Sequence, residues 1–307
     1  MTIFTKSIAL LFSVSSLVAL LPVHAHGQAV VHPANDIRSI APDVVLPPMV
    51  HALPAPGTRV RETHPDYRGT DVYHATYLPT DWNQGGRYPV IIEFAGNGPY
   101  RSPFGDESTG LVEGSRMGMG ISRGNGFIWI CMPYLNSVGT SNVSQWWGNP
   151  NSYDPRPTVE YCKKTVEWIC ETYGGDRSRV LLVGFSRGAI ACNYLGLYDD
   201  EIAGLWKAMV AYSHYDGVRR WGYPESDVMS ALIRLQRLGS TPQFICHEEN
   251  GRSALNATRE YLERTAIAGN FTYQSTGFRN HNDAWVLRPS EARDKLDGWV
   301  KKYLLDD

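Results

Sequence analysis

Val180-Leu181-Leu182-Val183-Gly184-Phe185-Ser186-Arg187-Gly188-Ala189-Ile190-Ala191-Cys192-Asn193-Tyr194-Leu195 is the stretch that decides the fold. Its first four residues form an apolar run that reads as a buried strand, and the residues after Gly188 read as a helix. Between them lies a G-x-S-x-G pentapeptide. In a strand–turn–helix context that pattern marks a nucleophile elbow, with the serine Oγ lifted clear of the sheet and pointing into a cleft. A glycine on each side leaves room for the tight turn and for close strand–helix packing.

Working outward, strands are expected over 71–78, 88–94 and 126–131, followed by a long loop over 133–157. A helix over 158–173 places Val159, Cys162, Val166, Ile169 and Tyr173 on one face. Thr158 can cap its start and Gly174-Gly175 stops it. Beyond the elbow come helix 187–197, strand 206–212, helix 226–238, strand 243–246, helix 253–267, strand 271–275 and helix 291–304. Strands alternating with helices indicate an α/β protein, a mostly parallel sheet with helices on both faces.

The chain has 307 residues, 43% hydrophobic and 20% charged, with a formal net charge of −2. No basic block stands out, which argues against nucleic-acid binding. Lys6, the apolar run 8–21 and the small residues around Val23-His24-Ala25 and Gly27-Gln28-Ala29 predict a signal peptide within 1–29. That run is too short to span a membrane, so the mature protein is expected to be secreted or periplasmic. Pro33, Pro42, Pro47, Pro48, Pro54 and Pro56 make 30–57 an extended, poorly ordered lead-in. A single domain is expected over 58–307. Cys162 and Cys170 sit about 12 Å apart on one helix, too far to bridge. The five cysteines read as small buried thiols, and no metal-site spacing occurs. Glycosylation-like triplets at Asn142, Asn256 and Asn270 read as chance matches.

A serine needs an adjacent base to act as a nucleophile. Of nine histidines, only His214, His247 and His281 follow the elbow. His281 stands in Gly277-Phe278-Arg279-Asn280-His281-Asn282-Asp283-Ala284-Trp285, a polar loop between the last strand and the last helix, and leaves the most room for an intervening acid. Trp146, Trp147 and Tyr153 in the long loop, with Trp221 and Tyr223, either line the cleft and stack on rings of a substrate or pack the loops onto the body.

The elbow, the element order and the His281 loop resemble the secreted α/β-hydrolase-fold serine esterases over about residues 60–305. The resemblance implies the chain order serine, acid, histidine, with Ser186 as nucleophile and His281 as base. The acid would come from Ile245-Cys246-His247-Glu248-Glu249-Asn250-Gly251, where the family pattern is similar to Gly-Glu-x-Asp and this chain has Asn250 in place of Asp. Glu249 is the first choice, Glu248 the second, and Asp216 in Ser213-His214-Tyr215-Asp216-Gly217 the third. The oxyanion hole would be the backbone amides of Arg187 and of Asn97, the latter in Ala95-Gly96-Asn97-Gly98-Pro99-Tyr100, which stands where lipases have His-Gly-Gly-Gly. The implied activity is cleavage of carboxylic esters through an acyl-enzyme, with no cofactor and no metal. Carbohydrate-linked or polymer esters are the candidate substrates. A serine peptidase of the same fold and a non-catalytic binding protein on a hydrolase scaffold are the alternatives.

Overall fold

A computed structural model of the chain describes residues 34–249 and 252–306. The expected signal peptide over 1–29 and Asn250 lie outside the described residues. The centre is a nine-stranded sheet built from β1 (Met49–Val50), β2 (Arg59–Glu62), β3 (His74–Tyr77), β4 (Tyr88–Phe94), β5 (Ile128–Met132), β6 (Gly175–Phe185), β7 (Ala208–Tyr212), β8 (Gln243–His247) and β9 (Phe271–Ser275). The strand order is β1-β2-β3-β5-β4-β6-β7-β8-β9. Only the β2–β3 and β3–β5 pairs are antiparallel. Every residue of β4 is buried, as an interior strand covered on both faces requires.

Alternate residues of one strand feed two separate cores. Val90, Ile92, Phe94, Val180 and Leu182 pack on one face, with Val159, Val166 and Ile169 of the Arg156–Tyr173 helix. Ile91, Leu181, Val183 and Phe185 pack on the other, with Leu296, Trp299 and Val300 of the Glu291–Val300 helix. The last helix is shorter than the 291–304 expected from sequence and ends in a wider turn over Lys301–Leu305. The Arg156–Tyr173 helix starts two residues before Thr158, with Pro157 in its first turn. The Thr158 hydroxyl instead accepts from the Leu135 amide at 3.0 Å, tying the long loop to the helix.

Two features differ from expectation. A short helix, Met117–Ser122, fills the second face. A Cβ at its Gly118 would come within 2.1 Å of the Trp129 ring and one at its Gly120 within 2.4 Å of Val286, so tight packing chose poor helix formers there. Glu93 serves its N-terminus, accepting from the Met117 amide at 3.0 Å and the Gly118 amide at 2.8 Å. The described part of the lead-in is extended but docked rather than loose. The Asn35 amide donates to the Gly277 carbonyl at 2.9 Å and its carbonyl accepts from Arg279 at 2.9 Å. Ile37 is buried, its amide donates to Asn280 Oδ1 at 2.7 Å, and Asp43 pairs with Arg293 at 2.6 Å. The pairing satisfies backbone groups that a Pro-rich segment cannot satisfy internally.

Candidate active site

Ser186 joins β6 to the Arg187–Tyr194 helix with φ 55° and ψ −111°. A non-glycine residue pays about 1–3 kcal/mol for such a conformation, so surrounding contacts must impose it. Here the Ser186 amide donates to the Tyr212 carbonyl at 2.9 Å, and its carbonyl accepts from Ala189 at 3.1 Å. The flanking glycines are obligatory. A Cβ at Gly184 would lie 2.1 Å from the Gly188 carbonyl oxygen, and one at Gly188 would lie 1.9 Å from that of Phe94.

His281 comes from the loop after β9, and its Nε2 lies 3.0 Å from Ser186 Oγ. Its Nδ1 lies 2.9 Å from Glu248 Oε1, just past the end of β8. Thus the carboxylate on His281 is that of Glu248, not Glu249. The side chains of successive residues leaving a strand point to opposite sides. Glu249 accordingly accepts from the Ser275 hydroxyl on β9 and pairs with Arg252. Asp216 is also apart from His281, forming a buried ion pair with Arg234 at 2.9 Å. Burial pushes the Asp216 carboxyl up to about 6 despite that partner.

Ser213 is a member of the cluster that sequence reasoning did not single out. Its Oγ lies 2.7 Å from His281 Nδ1 and donates to Glu248 Oε1 at 3.2 Å. Its position right after β7, in the segment already considered for Asp216, is the only signal in the sequence. The His281 loop is held from behind as well, by the His281 amide donating to Asp106 Oδ1 at 2.8 Å and by the Tyr100 ring stacked at 5.9 Å. His214 neighbours His281, with ring centroids 5.4 Å apart. Burial and then the charge of His281 pull the His214 imidazole down to about 3, so it stays neutral beside His281.

Asn97 lies in the turn after β4, and its side-chain oxygen accepts from the Trp146 amide at 2.9 Å. The Arg187 amide opens the helix after the elbow, among the first-turn N–H groups that have no partner within a helix. The aromatic residues divide. Trp147 and Tyr223 are buried packing residues; Trp147 stacks on Tyr194 at 4.5 Å. Tyr153 is partly buried against the same core. Trp146 and Trp221 are partly buried against it too, their rings 5.5 Å apart, and Trp221 reaches His214 at 5.2 Å. They form an arc from the Asn97 turn to His214.

No family model matches the chain, and no curated protein matches it. Solved structures do. An S-formylglutathione hydrolase from Agrobacterium tumefaciens superposes with a TM-score of 0.54 at 14% identity, over 80% of this chain and 94% of that one. Esterase 2 of Thermogutta terrifontis, phosphorylated by paraoxon, gives 0.51 at 15% identity, over 84% and 100%. A thermostable esterase gives 0.50 at 14%, over 80% of this chain and 62% of that one, so this chain spans less than two thirds of its length. At such identities the likeness is one of fold: the chain has the α/β-hydrolase fold.

Proposed function

We propose that this protein is a serine hydrolase that cleaves carboxylic esters, with Ser186 as nucleophile, His281 as general base and Glu248 as the orienting acid. The observation that carries the reading is the continuous relay from Ser186 Oγ to His281 Nε2 at 3.0 Å and from His281 Nδ1 to Glu248 Oε1 at 2.9 Å. With the Nδ1 proton donated to Glu248, Nε2 is free to accept the Ser186 proton as Oγ attacks the ester carbonyl. The carbonyl oxygen becomes an oxyanion facing the Asn97 and Arg187 amides. His281 returns the proton to the departing alcohol, draws another from water as that water attacks the acyl-enzyme, and hands it to Ser186 Oγ as the Oγ–acyl bond breaks and the acid leaves. Glu248 stays ionised throughout and stabilises the imidazolium. This chemistry calls for no cofactor.

The apolar N-terminal run supports an exported protein, and the partly buried Trp146 and Trp221, whose rings lead through His214 to His281, support a ring-bearing ester, carbohydrate-linked or polymeric, as substrate. Contact of Glu248 with His281 weighs against the non-catalytic reading, whose support was the missing Asp at position 250. Hydrolysis of p-nitrophenyl acetate and butyrate by the wild type beside Ser186→Ala tests the proposal. Activity abolished in the mutant is expected, and activity retained in it would overturn the assignment. Parallel turnover of short peptides separates esterase from peptidase.

A further inference from the structure

The Arg187 side chain is a buried cation without an anion. It is 1% exposed and has no carboxylate partner among the described residues. Such a group is costly unless its donors are used. Its two terminal nitrogens donate to three backbone carbonyls from three separate segments, Gly96 at 2.9 Å, Gly110 at 3.2 Å and Trp146 at 2.9 Å, while Nε has no partner among the described residues. The guanidinium lies 3.6 Å from the centroid of the Tyr134 ring, and the Tyr134 hydroxyl donates to the Ala95 carbonyl at 2.8 Å. Burial pulls the guanidinium only down to about 10, so it keeps its charge at neutral pH.

All three segments converge on one turn. The Gly98 amide donates to the Ser144 carbonyl at 3.1 Å, and a Cβ at Gly98 would lie 2.2 Å from the Gly110 amide nitrogen. Gly96-Asn97-Gly98 is thus wedged between the turn at 110 and the loop at 144–146. The Gly96 carbonyl and the Asn97 N–H belong to one planar trans peptide and point in opposite directions. Holding the carbonyl on Arg187 therefore aims the Asn97 N–H the other way. The Asn97 side chain is already engaged with Trp146, and among the described residues the Asn97 N–H has no acceptor.

We propose that the Arg187 side chain is a positioning residue: it clamps the Gly96 carbonyl so that the Asn97 amide faces the oxyanion, while the Arg187 backbone supplies the other amide. The assignment rests on the serine hydrolase reading. It makes one residue responsible for both halves of the oxyanion hole, one through its main chain and the other at a distance.

The test compares wild type, Arg187→Met and Arg187→Lys, with p-nitrophenyl butyrate and a fluorophosphonate probe. Active sites are counted by the probe at end point, so that misfolding lowers the number of sites and not the rate per site. A lysine ammonium carries its three donors on a single nitrogen and cannot reproduce the planar fork whose two nitrogens reach Trp146 on one side and Gly96 and Gly110 on the other. Both variants are expected to lose kcat by about ten- to a hundredfold per titrated site, with KM little changed, and to react correspondingly more slowly with the probe. A folded variant with the wild-type rate per site would overturn the clamp while leaving the function intact. If Arg187→Met fails to fold, Arg187→Lys decides the matter. A wild type unreactive towards both ester and probe would remove the hydrolase reading and the clamp with it.

Discussion

The Glu248 carboxylate is pushed up by burial and pulled down by the hydrogen bond and charge of His281; the second influence wins, and the group sits below the usual glutamate range. A depressed folded-state value means that its stabilisation is complete above that range and is lost as pH falls through the folded value. Glu248→Gln is expected to lower kcat by about 10³–10⁴-fold by removing control of the His281 tautomer, and to remove part of the acid-side loss of stability. Glu249→Gln leaves that relay untouched, and its kcat is expected to equal the wild type's. A pH–rate profile and an acid unfolding curve for the two variants check this, and an inactive Glu249→Gln beside an active Glu248→Gln would reverse the assignment.

Among the elements, the lead-in is the unexpected contributor. Residues 35–43 lie against 277–280, the segment running into His281, and the last helix. Burial of Ile37 is worth about 1.5–3 kcal/mol, and each backbone pairing about 1 kcal/mol. A chain starting at Val45 is therefore expected to unfold at clearly lower urea than one starting at Ala34, and to turn over ester more slowly per titrated site because the His281 loop loses its backing. Equal urea midpoints would show that the lead-in holds nothing. Composition predicts an extended, poorly ordered segment, and its described part carries a turn closed by the Ser39 amide on the Asp36 carbonyl and the strand β1. Its proline content carried no information about what it pairs with, because its partners lie about 240 positions further along the chain.

For the molecule as a whole, all five cysteines, Cys131, Cys162, Cys170, Cys192 and Cys246, are buried and free. Burial pushes the thiols up, Cys131 and Cys162 to about 12 and Cys170 to about 11. Neutral buried thiols are poor nucleophiles, so a disulfide-exchange reagent at pH 8 is expected to titrate none in the native protein and all five in urea. A thiol reacting before unfolding would show that one of the two cores opens locally.

What the sequence determined by itself is what local chemistry carries. The apolar runs of β4 and β6, the amphipathic helix ended by Gly174 and the alternation of strand and helix gave the sheet. The pentapeptide gave the elbow, since only glycine fits at 184 and 188. His281 was legible as the histidine in the polar loop before the last helix. The short β1 and β2 and the glycine-bearing helix at 117–122 were not legible, because neighbours distant in sequence, such as Trp129 and Val286, impose them. The tertiary structure alone decided which of two adjacent glutamates meets the histidine, that Ser213 joins them, and that the Arg187 side chain ties three loops together. Each is set by the direction in which a side chain leaves its strand or helix and by which distant segment is packed there, and no local pattern of residue types encodes either.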